Sequence, residues 1–116
     1  MAKAVFASRE SGEKFHLEIP GLDYVLELPY VRLEGGGGGA KIASLNLIGQ
    51  IRLNRDLGRL LAERVRTAFP ELDGIAILTA VEKALQLTQV VAQELGIDAV
   101  AVAYNRVKPH MEAARR

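Results

Sequence analysis

Two short, unbroken apolar runs constrain this chain more than any other feature: Ile75-Ala76-Ile77-Leu78 and Ala99–Ala103, with a helical pattern between them. A run without alternation is what a strand buried on both faces of a parallel sheet requires, because neither set of alternating side chains meets water. Between the runs, Leu85, Val90, Val91 and Leu95 recur at helical spacing, and Gly96 follows as a natural stop. Thr79-Ala80-Val81-Glu82 matches a capping box at the start of that helix. In such a box the Thr79 hydroxyl accepts from the amide of residue 82, and Glu82 reaches back to the amide of residue 79. Strand, helix and strand within about thirty residues make a βαβ unit, whose crossover is expected to be right-handed. Two parallel strands alone leave an apolar edge open, and an open edge must be paired or covered. Either the N-terminal half folds over that edge or a second copy of the chain does; a two-fold homodimer is the simplest outcome.

Upstream, the hydrophobic period is two. Phe15, Leu17 and Ile19 alternate with Lys14, His16 and Glu18, as in a half-buried strand. Pro20-Gly21-Leu22-Asp23 supplies a turn, with Pro setting one φ and Gly taking a positive one. A second run covers Tyr24 to Leu33, and Pro29 within it marks an edge strand or a break. After the glycines Gly35–Gly39, alternation resumes from Ile42 to Leu53, with Leu45, Leu47, Ile51 and Leu53 on one side and Ser44, Asn46, Gln50 and Arg52 on the other. Residues 14–53 are therefore expected to form an antiparallel meander with one wet face. Asn54 then reads as an N-cap, and Leu57, Leu60, Leu61, Val65 and Phe69 trace an amphipathic helix ending before Pro70. The expected organisation is one α/β domain over residues 1–116. It comprises the meander, an α-βαβ region at 54–104 and a basic tail at 105–116.

The chain's 116 residues weigh 12.6 kDa and carry 15 Lys and Arg against 14 Asp and Glu, a net charge of +1. That balance argues against a protein held mainly by nucleic-acid phosphates or acidic lipid. Arg55, Arg59, Arg64 and Arg66 crowd one helix without interleaved aromatics, which reads as a solvated face. There is no Cys and only two His, His16 and His110, so disulfides, thiol chemistry and a Cys- or His-based metal centre are not expected. The segment Met1–Lys14 reads as a short tail with no leader pattern, and no apolar run reaches membrane-spanning length. The expected location is cytoplasmic.

The run Gly35–Lys41, GGGGGAK, invites comparison with a phosphate-binding P-loop and fails it. Ala40 replaces the last Gly, Ile42 stands where Ser or Thr would hold magnesium, and a strand follows where a helix should. A flexible hairpin connection remains. Ser8, Ser11 and Ser44 lie outside any nucleophile-elbow pattern, and His16 falls on the polar face of a strand. The carboxyl ends of the parallel strands are more promising, because ligands of open α/β sheets collect there. Thr79–Ala84 and Tyr104–Met111 both emerge at that edge. The first also opens a helix, whose amides and dipole favour a phosphate. A phosphate-bearing small molecule is the ligand class this implies.

With these segments placed, the chain resembles the first half of a type I phosphoribosyltransferase of the adenine-phosphoribosyltransferase-like group. Leu28-Pro29-Tyr30-Val31, Lys41-Ile42-Ala43-Ser44, the 47–53 string Leu-Ile-Gly-Gln-Ile-Arg-Leu and the following helix are similar to that group's N-terminal region. Thr79-Ala80-Val81-Glu82-Lys83-Ala84 resembles its pyrophosphate loop, a Thr-Pro-Glu-x-Lys-Gly-like string. Tyr104–Met111, ending Lys108-Pro109-His110-Met111, resembles the Arg-Lys-x-x-Lys-Pro-Tyr-Met-like stretch before the flexible catalytic loop. The resemblance spans most of residues 14–111 and implies a partial Rossmann-like phosphoribosyltransferase fold. It also implies a purine-salvage chemistry in which a purine nitrogen displaces pyrophosphate from phosphoribosyl pyrophosphate. Magnesium and fixed cations stabilise the leaving group in that reaction. Contact with phosphate or pyrophosphate is implied for Thr79, Glu82, Lys83, Ala84 and Lys108; no catalytic residue and no metal ligand is implied.

The departures are specific. The family's strand ending in two acidic residues, followed by a Thr- and Gly-rich phosphoribosyl-binding loop, does not occur among the 116 residues. Ala84 replaces a glycine that lets the backbone approach pyrophosphate. Tyr104 and Asn105 stand where Arg and Lys are usual. The expectation is a degenerate relative without complete transferase activity on its own that binds a phosphoribosyl compound or purine nucleotide. Two alternatives are a non-catalytic dimeric structural or regulatory module, and an N-terminal fragment of an active purine phosphoribosyltransferase.

Overall fold

The period-3.6 segments become helices and the period-two segments become strands except over residues 47–53, in the order expected, and several boundaries move. The computed structural model describes residues 12–33 and 39–107. The elements are β1 (Lys14–Glu18), β2 (Val25–Arg32), β3 (Lys41–Ala43), α1 (Ile51–Ala68), β4 (Leu78–Ala80), α2 (Leu85–Leu95) and β5 (Ala101–Ala103). They give a mixed α/β chain with a three-stranded antiparallel sheet, a helix, and a two-stranded parallel sheet joined through a second helix. The chain divides into two compact units, Met1–Asp56 and Leu57–Arg116.

In the first unit, β1 and β2 pair antiparallel with Phe15 opposite Leu28 and Leu17 opposite Leu26. These residues share one face, on which Leu26 and Leu28 are buried. The turn between the strands closes through the Leu22 amide donating to the Ile19 carbonyl at 3.0 Å, with Gly21 at φ 103°. A positive φ at the third turn position after Pro is the type II pattern, which only glycine adopts without strain. Strand β2 is central and continuous, which corrects the expectation of an edge or a break at Pro29. Pairing with β1 covers residues 25–29 and pairing with β3 covers 30–32, so the proline sits where one ladder hands over to the other. A residue without an N–H interrupts neither ladder at that point. The Leu33 amide donates to the Ala40 carbonyl at 2.8 Å, which makes the β2–β3 connection a hairpin. Residues 34–38 of that connection, including Gly35–Gly38, lie outside the described residues.

The strand expected over residues 47–53 is instead a turn followed by the start of α1. The Asn46 side chain accepts from the Ile48 amide at 3.2 Å, and the Gln50 amide donates to the Leu47 carbonyl at 3.1 Å. Such local bonds reverse the chain and compete with a strand ladder. Ile51 is 69% exposed while Leu53 is 2% exposed, so the two do not share the face that alternation assigned them. Asn54, expected as an N-cap, lies inside the helix. Its Nδ2 donates to the carbonyls of Leu47 at 2.7 Å and Gln50 at 2.8 Å, tying the entering turn to the helix, while its buried Oδ1 takes no donor.

In the second unit, α1 and α2 pack closely at Gly58, where an added Cβ would lie 2.4 Å from Val90 Cγ1. Ala62, Val91 and Leu95 form the core, with Val65, Leu72, Ile77 and Ile97 packed against it. Helix α2 ends as expected at Gly96, which is left-handed at φ 71°, and the Ile97 amide donates to the Ala92 carbonyl at 2.9 Å. Strands β4 and β5 are parallel, with Leu78 opposite Ala101, Thr79 opposite Val102 and Ala80 opposite Ala103. Burial on both faces, expected from the unbroken apolar runs, is corrected: α2 packs against β4, and Thr79 is buried while Leu78 is 72% exposed. No described helix is long and apolar enough to cross a membrane.

Candidate functional site

Parallel pairing brings the carboxyl ends of β4 and β5 side by side. The Val81 amide donates to the Ala103 carbonyl at 3.0 Å, so the chain leaves both strands at the same level. From there residues 81–84 turn into α2, and residues 104–107 leave β5. Between them lies an open depression of about 990 Å³, lined by Ala80 to Leu85 on one side and Tyr104 to Arg106 on the other. The Val81–Glu82 peptide bond is cis.

The structure brings together most of the residues singled out from the sequence, with changed roles. Glu82, Lys83 and Ala84 all line the depression. Thr79 does not: it lies within β4, is buried, and its hydroxyl donates weakly to the Ala80 carbonyl at 3.4 Å. The capping box is therefore corrected. Helix α2 begins at Leu85, past the reach of Thr79, with Ala84 at the cap position and no side-chain cap. Glu82 instead contributes its carbonyl, which accepts from the Leu85 amide at 3.2 Å. Lys83 sits in the turn before α2 rather than on the first helical turn, and it is exposed. Lys108 and His110 lie outside the described residues.

Sequence reading missed one cation. Arg106 lines the same depression as Lys83, entering from the β5 side. Its signal was its place, as the first basic residue after a parallel strand, but the string resemblance drew attention to Lys108. Tyr104, 39% exposed, and Asn105 complete that wall. Among the described residues, the charged groups that line the depression are two cations and a carboxylate, facing solvent in front of a helix N-terminus. Such a set attracts an anion electrostatically and offers polar contacts to hydroxyl groups beside it.

A second polar cluster lies in the first unit. The Tyr24 hydroxyl donates to Asp56 Oδ2 at 2.7 Å, and the Arg52 guanidinium lies 4.5 Å from the Tyr24 ring centroid. Arg52 also stands 3.5 Å from Asp23 and 3.7 Å from Asp56, and Arg55 stands 3.4 Å from Asp56. Burial, then the hydrogen bond to Asp56, pushes the Tyr24 hydroxyl up to about 12. Accepting that bond holds the Asp56 carboxyl below its ordinary value. Farther along α1, Arg59 lies 3.5 Å from the Glu94 carboxylate, and Arg66 donates to the Glu94 carbonyl. Four arginines of α1 thus engage the chain's own acceptors. His16 is exposed on β1, 3.6 Å from Glu27.

Among the described residues, no group of three or more His, Asp or Glu is arranged to hold a metal ion. A comparison with known proteins finds no family model and no curated relative that matches the chain.

Proposed function

We propose that this chain is a phosphoribosyltransferase-related protein that binds a phosphoribosyl compound or purine nucleotide through its phosphates and does not complete the transfer with these residues alone. The observation that supports this most is the convergence of Lys83 and Arg106 on one open depression at the carboxyl ends of two parallel strands. Open α/β sheets place ligands at that edge, and the helix dipole of α2 adds to the two cations. Glu82 lines the same depression and suits the ribose hydroxyls as an acceptor. Magnesium belongs to this reading as the counter-ion that pyrophosphate brings with it. Ala84 in place of glycine favours binding over turnover.

The test is a calorimetric titration of the chain with phosphoribosyl pyrophosphate and magnesium. Saturable heat is expected, with Lys83→Ala and Arg106→Ala each weakening affinity about three- to tenfold, the range for solvent-screened charge contacts to an anion. Arg64→Ala is the control and should leave affinity unchanged. Absence of saturable heat at millimolar ligand, or an equal loss in all three variants, overturns the reading.

A further inference from the structure

The depression at the carboxyl ends of β4 and β5 is lined by more than charge. Val81, Ala84 and Leu85 belong to the α2 side, and the Tyr104 ring belongs to the β5 side, 39% exposed. Glu82 and Lys83 are interleaved with the first set, and Asn105 and Arg106 follow Tyr104. A phosphate or pyrophosphate group uses the two cations, but against a phenol ring or a leucine it loses hydration without return. At about 990 Å³ the depression lies at the upper end of the range of about 300–1,000 Å³ that small-molecule sites occupy, so it has room for much more than a phosphate.

We infer that Tyr104 is a stacking platform for an aromatic base, so that the site takes a nucleotide in preference to a sugar phosphate without a base; this rests on the phosphate binding proposed above. The π face of a nucleobase suits an aromatic ring whichever base it is. Leu85, 36% exposed, and Ala84 supply carbon surface on the facing wall, so a planar base meets the ring on one side and apolar atoms on the other. Asn105 shares the wall of Tyr104 and offers both a donor and an acceptor, the pair of functions a base edge presents. The charges serve the rest of the molecule. A phosphate monoester carries about 1.5–2 negative charges at neutral pH, which Lys83 and Arg106 balance. Tyr104 is thus a specificity-determining residue, deciding between ligands that present the same phosphate.

The experiment titrates the whole chain in a calorimeter with adenosine 5′-monophosphate and with ribose 5-phosphate, which carries the same phosphate ester and no base. The nucleotide should bind about five- to tenfold tighter, the lower end of what base–aromatic stacking contributes, because the ring faces an open depression. Tyr104→Ala should remove most of that margin, while Tyr104→Phe keeps it. Lys83→Ala should weaken both ligands alike, which separates the phosphate contact from the base contact. Circular dichroism checks that each variant keeps its helices. If Tyr104→Ala does not fold, Tyr104→Leu, apolar but without a π face, takes its place with the same expected loss. Equal affinity of the wild type for the two ligands, or a margin unchanged in the folded variant, overturns the inference and leaves the phosphate binding standing. Absence of saturable heat from both ligands at millimolar concentration overturns both.

Discussion

Gly58 shows how much a single missing side chain can decide. In an exposed helix, glycine to alanine stabilises by about 1 kcal/mol through backbone entropy. Here the added methyl would lie 2.4 Å from Val90 Cγ1 and 2.6 Å from Val90 Cβ, so the two helices must separate or Val90 must move. Overpacking of that kind costs about 1–3 kcal/mol and outweighs the propensity gain. Gly58→Ala should therefore destabilise the chain by about 1–2 kcal/mol, and Val90→Ala in the same chain should remove most of that penalty. Denaturant midpoints of the four proteins in that cycle check it; an additive cycle would show that the helices do not meet at these residues. The Tyr24–Asp56 bond makes a second prediction. Tyr24 holds its proton more tightly folded, near 12 against an ordinary 10.0, so its contribution is complete below the ordinary value and lost as pH rises through the folded one. Asp56 is shifted the other way, so its contribution is present above its ordinary 3.8 and lost as pH falls below it. Tyr24→Phe should cost about 1 kcal/mol at neutral pH and flatten the acid limb of the stability curve. Absorbance titration should also lose the tyrosine that ionises late.

At the scale of elements, composition and period identified the type of most segments, while residues 47–53, expected as strand, and the element boundaries depended on hydrogen bonds that hydrophobicity does not report. Leu45, Leu47, Ile51 and Leu53 satisfy alternation, yet Asn46, Gln50 and Asn54 bond locally and turn the chain into α1 before Leu53. The capping box failed for a related reason. Thr79 is held in the parallel ladder opposite Val102, and a residue committed to a strand cannot also cap a helix that starts beyond the next turn. The opposite end of α2 was legible because it depends on one local conformation. Gly96 is left-handed at φ 71°, where an L side chain is strained even though nothing crowds it. Gly96→Ala should lower stability by about 1 kcal/mol, measured by thermal unfolding, and Gly96→Asn by less, since asparagine tolerates this conformation better. Equal stability of all three would show that the helix ends elsewhere.

Across the whole molecule, the depression with Lys83 and Arg106 and the uncovered face with Leu78 both follow from the same parallel pair. One arises at the carboxyl end of β4 and β5, the other on the side that α2 leaves open. The proposed phosphate binding rests on the first of these. The sequence by itself determined the kinds of element and their order, because period two and period 3.6 are local properties of a chain. It determined the βαβ unit and Gly96 as a stop, and it pointed to the loop containing Glu82, Lys83 and Ala84. Only the tertiary structure decided that β4 and β5 are covered on one face, that Thr79 belongs to the sheet, and that Arg106 joins Lys83. An unbroken apolar run has the same composition whether one face or both are covered. Residues 83 and 106 come to line one depression only because two strands far apart in sequence pair in parallel.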